Sequence, residues 1–332
     1  MGKPRIFIVS PAAETANNGN GQTAGRWSRF LTRLADVQVA PAWRGEPLDA
    51  MIALHARRSA ESVMRLRSSG NARVALVLTG TDLYRDIEDD RDAQQALECA
   101  SEVVVLQEEG LSRLQPRVRS KARVILQSAR QIPVRRKTPD HLDLVAVGHL
   151  RDEKDPLVLM QAARLLPGGS PIFIVHIGDS LDSALADAAR RTAIDCSRYR
   201  WMGGVPRQVA RRWISRAHAL VHMSRMEGGA NVVIEAIRSG VPVLASRIDG
   251  NVGLLGRDYA GYFPVGDAPA LAALIGRFRA DSGFAATLAA QCARRAPLFA
   301  PEAERRNVRR LLVDLLRIPA HSDSASLGDE AA

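Results

Sequence analysis

Residues 219–246 constrain the fold of this chain more than any other stretch. An apolar run at 219–223 leads into Glu227-Gly228-Gly229-Ala230-Asn231. A helical stretch carrying Glu235 follows and ends at Gly240, and Val241-Pro242-Val243-Leu244-Ala245-Ser246 reads as a second buried strand. Strand, glycine-containing turn, helix and strand in this order place the turn at the carboxyl edge of a parallel sheet, where nucleotides bind. Asn231 is the expected N-cap, its side chain accepting from a first-turn N–H. Free amides and the dipole at that helix start favour an anion. Gly228 and Gly229 carry no Cβ, so a ligand oxygen can approach the backbone. Glu235, about one turn into the helix, is placed to accept from a ribose diol.

The rest of the chain repeats this alternation. Strands are expected at 5–10, 37–40, 50–54, 74–78, 102–106 and 123–126, with helices at 25–34, 60–68 and 94–100. A basic, proline-containing stretch at 131–140 is the expected linker. A second series begins with the strand 142–147 and continues through helix 156–166, strand 172–178, helices 183–191 and 206–216, and then the segment described above. Helices at 268–280 and 302–317 close it. Such alternation predicts an α/β chain of two doubly wound, Rossmann-like domains, with ligand bound between them at the carboxyl ends of the strands. The expected division is 1–137, 138–318 and a disordered Ser/Ala/Asp-rich tail at 319–332. The last helix is expected to pack back on the first domain. A length of 332 residues suits two domains.

Composition narrows the function classes. Cys99, Cys196 and Cys292 are widely spaced and odd in number, which points away from a disulfide framework or zinc site and towards a reducing cytoplasm. The apolar runs are too short to span a bilayer, and residues 1–10 lack a signal-peptide layout. A formal net charge of +10 attracts anions. No nucleic-acid module accompanies it, so small anionic substrates are the expected partners, without nucleic acid or stable membrane insertion. Asp90-Arg91-Asp92 lies in a charged helical stretch and is not read as a metal site.

Several loops follow predicted strands. Gly148-His149-Leu150-Arg151-Asp152-Glu153-Lys154-Asp155-Pro156 is charged and ends in a proline suited to a first helical turn. Trp201-Met202-Gly203-Gly204-Val205-Pro206 follows a short strand. Residues 17–27, Asn17-Asn18-Gly19-Asn20-Gly21-Gln22-Thr23-Ala24-Gly25-Arg26-Trp27, read as a mobile glycine loop, with spacing unlike a dinucleotide fingerprint. Thr79-Gly80-Thr81-Asp82 follows strand 74–78, and His55 ends strand 50–54.

The carboxylates Glu227 and Glu235, eight positions apart, resemble the Glu-x7-Glu signature of GT4-like, retaining-type glycosyltransferases of the GT-B fold. The resemblance implies a UDP-sugar substrate, no metal and no other cofactor. It implies catalytic roles for Lys154 and Glu227, with Lys154 on the Lys position of a Gly-Arg-Leu-x-x-x-Lys loop. His149 stands where that loop has Arg, so either Arg151 substitutes or His149 donates to phosphate. Donor contacts are implied for Gly21, His149, Arg151, Lys154, Gly204, Glu227, Gly228, Gly229, Ala230, Asn231, Val232 and Glu235. Acceptor contacts are implied for Asn17, Arg26, His55, Arg57, Thr81 and Asp82. Thr79 occupies a position where these enzymes usually carry His.

Within that class, residues 53–59, 78–86, 105–107, 148–156 and 227–231 look like those of the selenosugar synthases of selenoneine biosynthesis. That resemblance implies transfer of a sugar from UDP-N-acetylglucosamine or UDP-glucose to selenophosphate. The alternatives are a GT4-like transferase with a hydroxyl acceptor, and a non-catalytic nucleotide-sugar-binding protein.

Overall fold

The computed structural model describes residues 2–11, 19–71, 73–133, 135–169 and 171–317. Among these, residues 2–105, 114–125 and 305–317 belong to one compact unit and residues 106–113 and 126–304 to a second. The stretch 131–140, the expected linker, lies within the second unit. Asn17 and the tail at 319–332 lie outside the described residues.

The first unit is built on six parallel strands: β1 (Arg5–Val9), β2 (Asp36–Ala40), β3 (Ala50–Leu54), β4 (Val74–Leu78), β5 (Glu102–Val105) and β6 (Ala122–Val124). Their order is β2-β1-β3-β4-β5-β6. Ala50-Met51-Ile52-Ala53-Leu54 and Val74-Ala75-Leu76-Val77-Leu78 are buried at every position, as unbroken apolar runs require in the interior of a parallel sheet. The chain leaves β1 towards β2 on one side and returns to β3 on the other, so the winding reverses at β1. Arg123 ties β6 to the last helix, Pro301–Arg317, at 2.9 Å from Asp314.

One expectation fails here. The glycine string at 19–25 is helical, because the helix runs Gly19–Leu31 and not 25–34. Thr23, Trp27 and Leu31 are buried at four-residue spacing. Thr23 Oγ1 also donates to the Gly19 carbonyl at 2.9 Å. Burial of that stripe outweighs the ~1 kcal/mol that each glycine costs a helix.

The second unit repeats the plan with β7 (Leu142–Val147), β8 (Ile172–Ile177), β9 (Tyr199–Trp201), β10 (Ala219–His222), β11 (Val243–Ser246) and β12 (Tyr262–Phe263). All are parallel, in the order β12-β11-β10-β7-β8-β9. The winding reverses at β7, whose two neighbours are β8 and β10. The loops after β7 and β10 therefore diverge from adjacent strand ends and leave a crevice. Its core includes Leu144, Leu159, Tyr199, Val233, Leu271 and Phe299. The helices Asp249–Leu255 and Ser282–Arg295 were not expected from the sequence.

Candidate functional site

The crevice of the second unit is closed by one side-chain pair. Lys154, from the loop after β7, places Nζ on Glu227 Oε1, from the loop after β10. Backbone bonds hold the first loop in shape, one of them to the loop after β8. Leu150 N donates to the Asp179 carbonyl at 2.8 Å, and Lys154 N to the Arg151 carbonyl at 3.0 Å. Asp155 then adopts the left-handed conformation (φ 47°), one of the few non-glycine types that tolerate it. Arg225 clamps this corner to the second loop. Its N–H donates to the Glu153 carbonyl at 2.9 Å, and its guanidinium donates to Asp155 Oδ1 at 3.1 Å. The Lys154 stem is folded across Gly148, where an added Cβ would lie 3.6 Å from it.

Glu227 Oε1 is the focus of three donors. Besides Lys154, Ser224 Oγ donates at 2.8 Å, and His222 Nε2 lies at 3.4 Å. His222 Nε2 also lies 3.3 Å from Ser224 Oγ, which accepts from it while donating to the carboxylate. Burial pushes the Glu227 carboxyl up, but the Lys154 charge and the His222 contact outweigh it, and the group is held well below the usual carboxylate range. Glu227 is therefore an anion in a nearly dry setting, with its side chain only 12% exposed. Among the described residues, no donor engages its second oxygen. His222 and Ser224 were not expected. The only signal for them in the sequence is their proximity to Glu227 at the end of an apolar strand.

The turn 227–230 leads into the helix Asn231–Arg238, but Asn231 is its first helical residue and not its N-cap. Ala230 holds the cap position and offers no side-chain acceptor. Ala230, Asn231 and Val232 are thus the residues at an uncapped helix start, and the first-turn amides of Asn231 and Val232 have no cap among the described residues. Gly229 needs its missing side chain for a reason other than ligand approach. A Cβ there would lie 2.6 Å from Gln127 Oε1 and 3.0 Å from Leu106 Cβ. Gly250 is equally confined, since a Cβ would collide with the Glu227 carbonyl. Gly228 is buried in the same turn.

Glu235 lies one turn into the helix and is buried, but it is not alone. Arg207 donates to its Oε1 from Nε at 3.0 Å and from Nη2 at 2.6 Å, and Arg211 Nε lies 3.7 Å away. Both arginines come from one face of the helix Arg207–Arg216, a spacing of four that was legible in the sequence.

His149, Arg151 and Gly204 flank the crevice. His149 Nδ1 accepts from Asp179 N at 3.1 Å. A backbone N–H can only donate, so the neutral ring carries its proton on Nε2, where it can donate outward. Arg151 is exposed, with Glu153 at 3.8 Å. Gly204 N donates to Asp179 Oδ1 at 2.8 Å, and a Cβ at 204 would collide with that carboxylate. Gly204 therefore lines a turn held by Asp179. Gly21 lies in the first unit, inside the helix Gly19–Leu31, not in a loop.

The first unit gathers three of the residues implied for an acceptor. His55 adopts φ 75°, a strained conformation for a side chain of this size. Its Nδ1 accepts from Arg58 N at 3.4 Å, so Nε2–H donates to Thr81 Oγ1 at 3.0 Å. Burial lowers the His55 pKa more than the nearby Asp82 charge raises it, which favours the neutral ring. Asp82 is fully buried, and its carboxylate accepts from Ala56 N, Thr79 N and Gly80 N at 2.8–2.9 Å. Those bonds give Asp82 a structural task. Arg57 pairs with Asp86 at 3.5 Å and Asp90 at 3.9 Å. Arg26 is buried in the helix Gly19–Leu31. Asn20 Nδ2 donates to Thr79 Oγ1 at 3.3 Å and joins the first turn of that helix to the cluster. Asp90 serves as an N-cap, accepting from Ala93 N at 2.9 Å.

Among the described residues no three His, Cys, Asp or Glu side chains are grouped to hold a metal ion. No described helix is long and apolar enough to cross a membrane.

Residues 141–281 match the family model of glycosyl transferases group 1. HepE of Anabaena, solved with UDP-glucose, superposes with a TM-score of 0.73 at 15% identity, over 94% of this chain and 100% of that one. Sucrose-phosphate synthase of Thermosynechococcus elongatus gives 0.76 at 18% identity, over 96% and 100%. The pneumococcal O-GlcNAc transferase GtfA, solved with UDP and GlcNAc, gives 0.61 at 14% identity, over 80% and 57%. At such identities the likeness is one of fold, and this chain has the GT-B glycosyltransferase fold.

Proposed function

We propose that the protein is a glycosyltransferase that takes a UDP-sugar as donor and selenophosphate as acceptor. The observation that carries the donor half is the Lys154–Glu227 pair, set where the winding of the second sheet reverses. Lys154 contacts the diphosphate, together with the amides of Asn231 and Val232 and Nε2–H of His149. These donors stabilise the charge that grows on UDP as the bond from the anomeric carbon to its oxygen breaks. Glu227, pinned through Oε1, turns Oε2 to a sugar hydroxyl. Glu235 accepts from the ribose diol. UDP as carrier is supported by the group 1 match and by the UDP, UDP-glucose and GlcNAc complexes of proteins with this fold.

The acceptor half is supported by the selenosugar synthase-like strings at 53–59, 78–86, 105–107, 148–156 and 227–231. Selenium attacks the anomeric carbon, a C–Se bond forms, and the C–O electron pair leaves with UDP. The first product keeps the phosphoryl group on selenium, and hydrolysis frees the selenosugar. Selenophosphate is ionised before it reacts and needs no strong general base. Neutral His55, occupied with Thr81, agrees with that economy.

The test is mass-spectrometric product analysis with purified protein, UDP-N-acetylglucosamine or UDP-glucose, and selenophosphate. A selenosugar plus stoichiometric UDP is the expected result. UDP release only with hydroxyl acceptors would reassign the acceptor. UDP binding without turnover under every acceptor would reduce the protein to a nucleotide-sugar binder.

A further inference from the structure

A cavity of about 550 Å³ in the second unit is lined by Arg135, Arg136, Lys137, Thr138, Asp143 and Arg216. Asp143 is the second residue of β7, so the cavity opens at the amino-terminal end of the parallel sheet. Lys154 and Glu227 lie beyond its carboxyl-terminal end, so the cavity is separate from the donor crevice.

Its walls are ordered by a polar staple. His218 Nδ1 accepts from Asp143 N at 2.9 Å, so its Nε2–H donates to the Thr138 carbonyl, also at 2.9 Å. That bond fixes the basic segment 135–138 against the start of β7. Thr138 Oγ1 is further engaged with Asp140. Asp143 is the one acidic side chain in the lining, and His141 Nε2 lies 3.2 Å from its carboxylate.

Four cations therefore share one concavity. Among the described residues, no carboxylate forms an ion pair with Arg135, Arg136, Lys137 or Arg216. Arg135, Arg136 and Arg216 are exposed and Lys137 is half-buried. Four like charges around one concavity raise its local potential, although solvent screens the exposed groups. Burial lowers the Lys137 pKa, which an arriving anion would reverse. The planar, multi-donor guanidinium groups suit phosphate oxygens in particular.

We propose that this cavity is a second anion site, for an oligophosphate group, independent of the donor crevice. A volume of 550 Å³ accommodates two or three linked phosphates and excludes none of the four cations. The site does not rest on the UDP-sugar reading, because none of its residues belongs to that machinery.

The experiment is equilibrium binding of inorganic tripolyphosphate to the full chain at physiological salt, with saturating UDP present and absent. The expected result is one site that UDP does not displace. The triple variant Arg135→Ala, Arg136→Ala, Arg216→Ala should weaken it at least tenfold. In a folded Asp143→Asn variant, removal of the one negative wall charge should tighten binding severalfold. Complete displacement of tripolyphosphate by UDP overturns the proposal, and so does equal affinity in wild type and the triple variant. Co-sedimentation with vesicles of phosphatidic acid and phosphatidylcholine, against phosphatidylcholine alone, separates the sources of the phosphate. Variant-sensitive binding to acidic vesicles without binding of tripolyphosphate would overturn the oligophosphate assignment in favour of a lipid headgroup. Variant-sensitive binding to neither overturns it. Failure to bind UDP in the same titration would bear on the donor reading alone.

Discussion

Arg207 Nη2 stands 2.6 Å from Glu235 Oε1, and its Nε stands 3.0 Å from the same oxygen. Arg211 completes the arrangement at 3.7 Å, so the buried Glu235 carboxylate is neutralised from one helix face. Both arginines meet Oε1, and in the proposed function Oε2 accepts from the ribose diol. Glu235→Ala removes that acceptor and leaves both cations facing a void. Donor affinity should fall at least tenfold, with turnover at saturating donor changed less. Calorimetry with UDP, together with donor-dependent kinetics, checks the split.

Arg207→Ala is the complementary test. A buried carboxylate robbed of its partner costs several kcal/mol, but Arg207 is 36% exposed and Arg211 remains. The discounted loss is about 1–2 kcal/mol. Thermal unfolding of the variant should show a few degrees of destabilisation, and UDP affinity should drop three- to tenfold.

Lys154 and Glu227 should separate by kinetic parameter. In the proposed reaction Lys154 acts on charge developing in the transition state, so Lys154→Ala should lower kcat about a hundredfold with a smaller change in KM. Glu227→Gln should damage transfer comparably while UDP affinity stays within about threefold. Ser224→Ala withdraws one donor from Oε1, a charged hydrogen bond of about 1.5–3 kcal/mol, and should lower kcat by about tenfold.

Gly250→Ala tests how the acidic turn is backed. The new methyl would press on the Glu227 carbonyl, so the turn and the carboxylate must both move. Activity should drop more than tenfold while the variant remains folded. Gly229→Ala presses on Gln127 and Leu106 instead, and overpacking of that kind costs about 1–3 kcal/mol. Urea unfolding distinguishes the two.

His176 sets a stability limit at acid pH. It is buried beside Tyr199, with Nδ1 2.9 Å from the hydroxyl, and burial pushes its pKa down to about 4. The folded state thus prefers the neutral ring. Its contribution is fully present above pH 6.5 and is lost as pH falls through 4. The loss across that window is on the order of 3 kcal/mol. Unfolding midpoints measured from pH 7.5 to 4 should decline in this window, and His176→Gln, if folded, should flatten the decline.

The two sheets were legible because fully buried parallel strands must be apolar along their whole length. The runs at β3 and β4 could hardly serve elsewhere. Helix ends were less legible. The glycines of 19–25 read as a loop by local propensity, but the buried face of Thr23, Trp27 and Leu31 overrides that preference. Asn231 read as a cap, yet the chain enters helical geometry one residue earlier. Gly229 read as an opening for a ligand, although Gln127, a hundred positions away, fills the space.

The residue pattern alone determined the α/β class and the parallel sheets, because strand burial and helix periodicity are local demands on side-chain type, while the candidacy of Lys154 and Glu227 came from the resemblance of their loops to a known family. The folded chain decided what each of those groups meets. Lys154 on Glu227, the two arginines on Glu235, the Ala56 amide on Asp82 and Arg216 beside the 135–137 cations all arise from residues distant in sequence. Charge pairing and hydrogen bonding act over a few ångströms of space, and only tertiary packing sets which groups come that close.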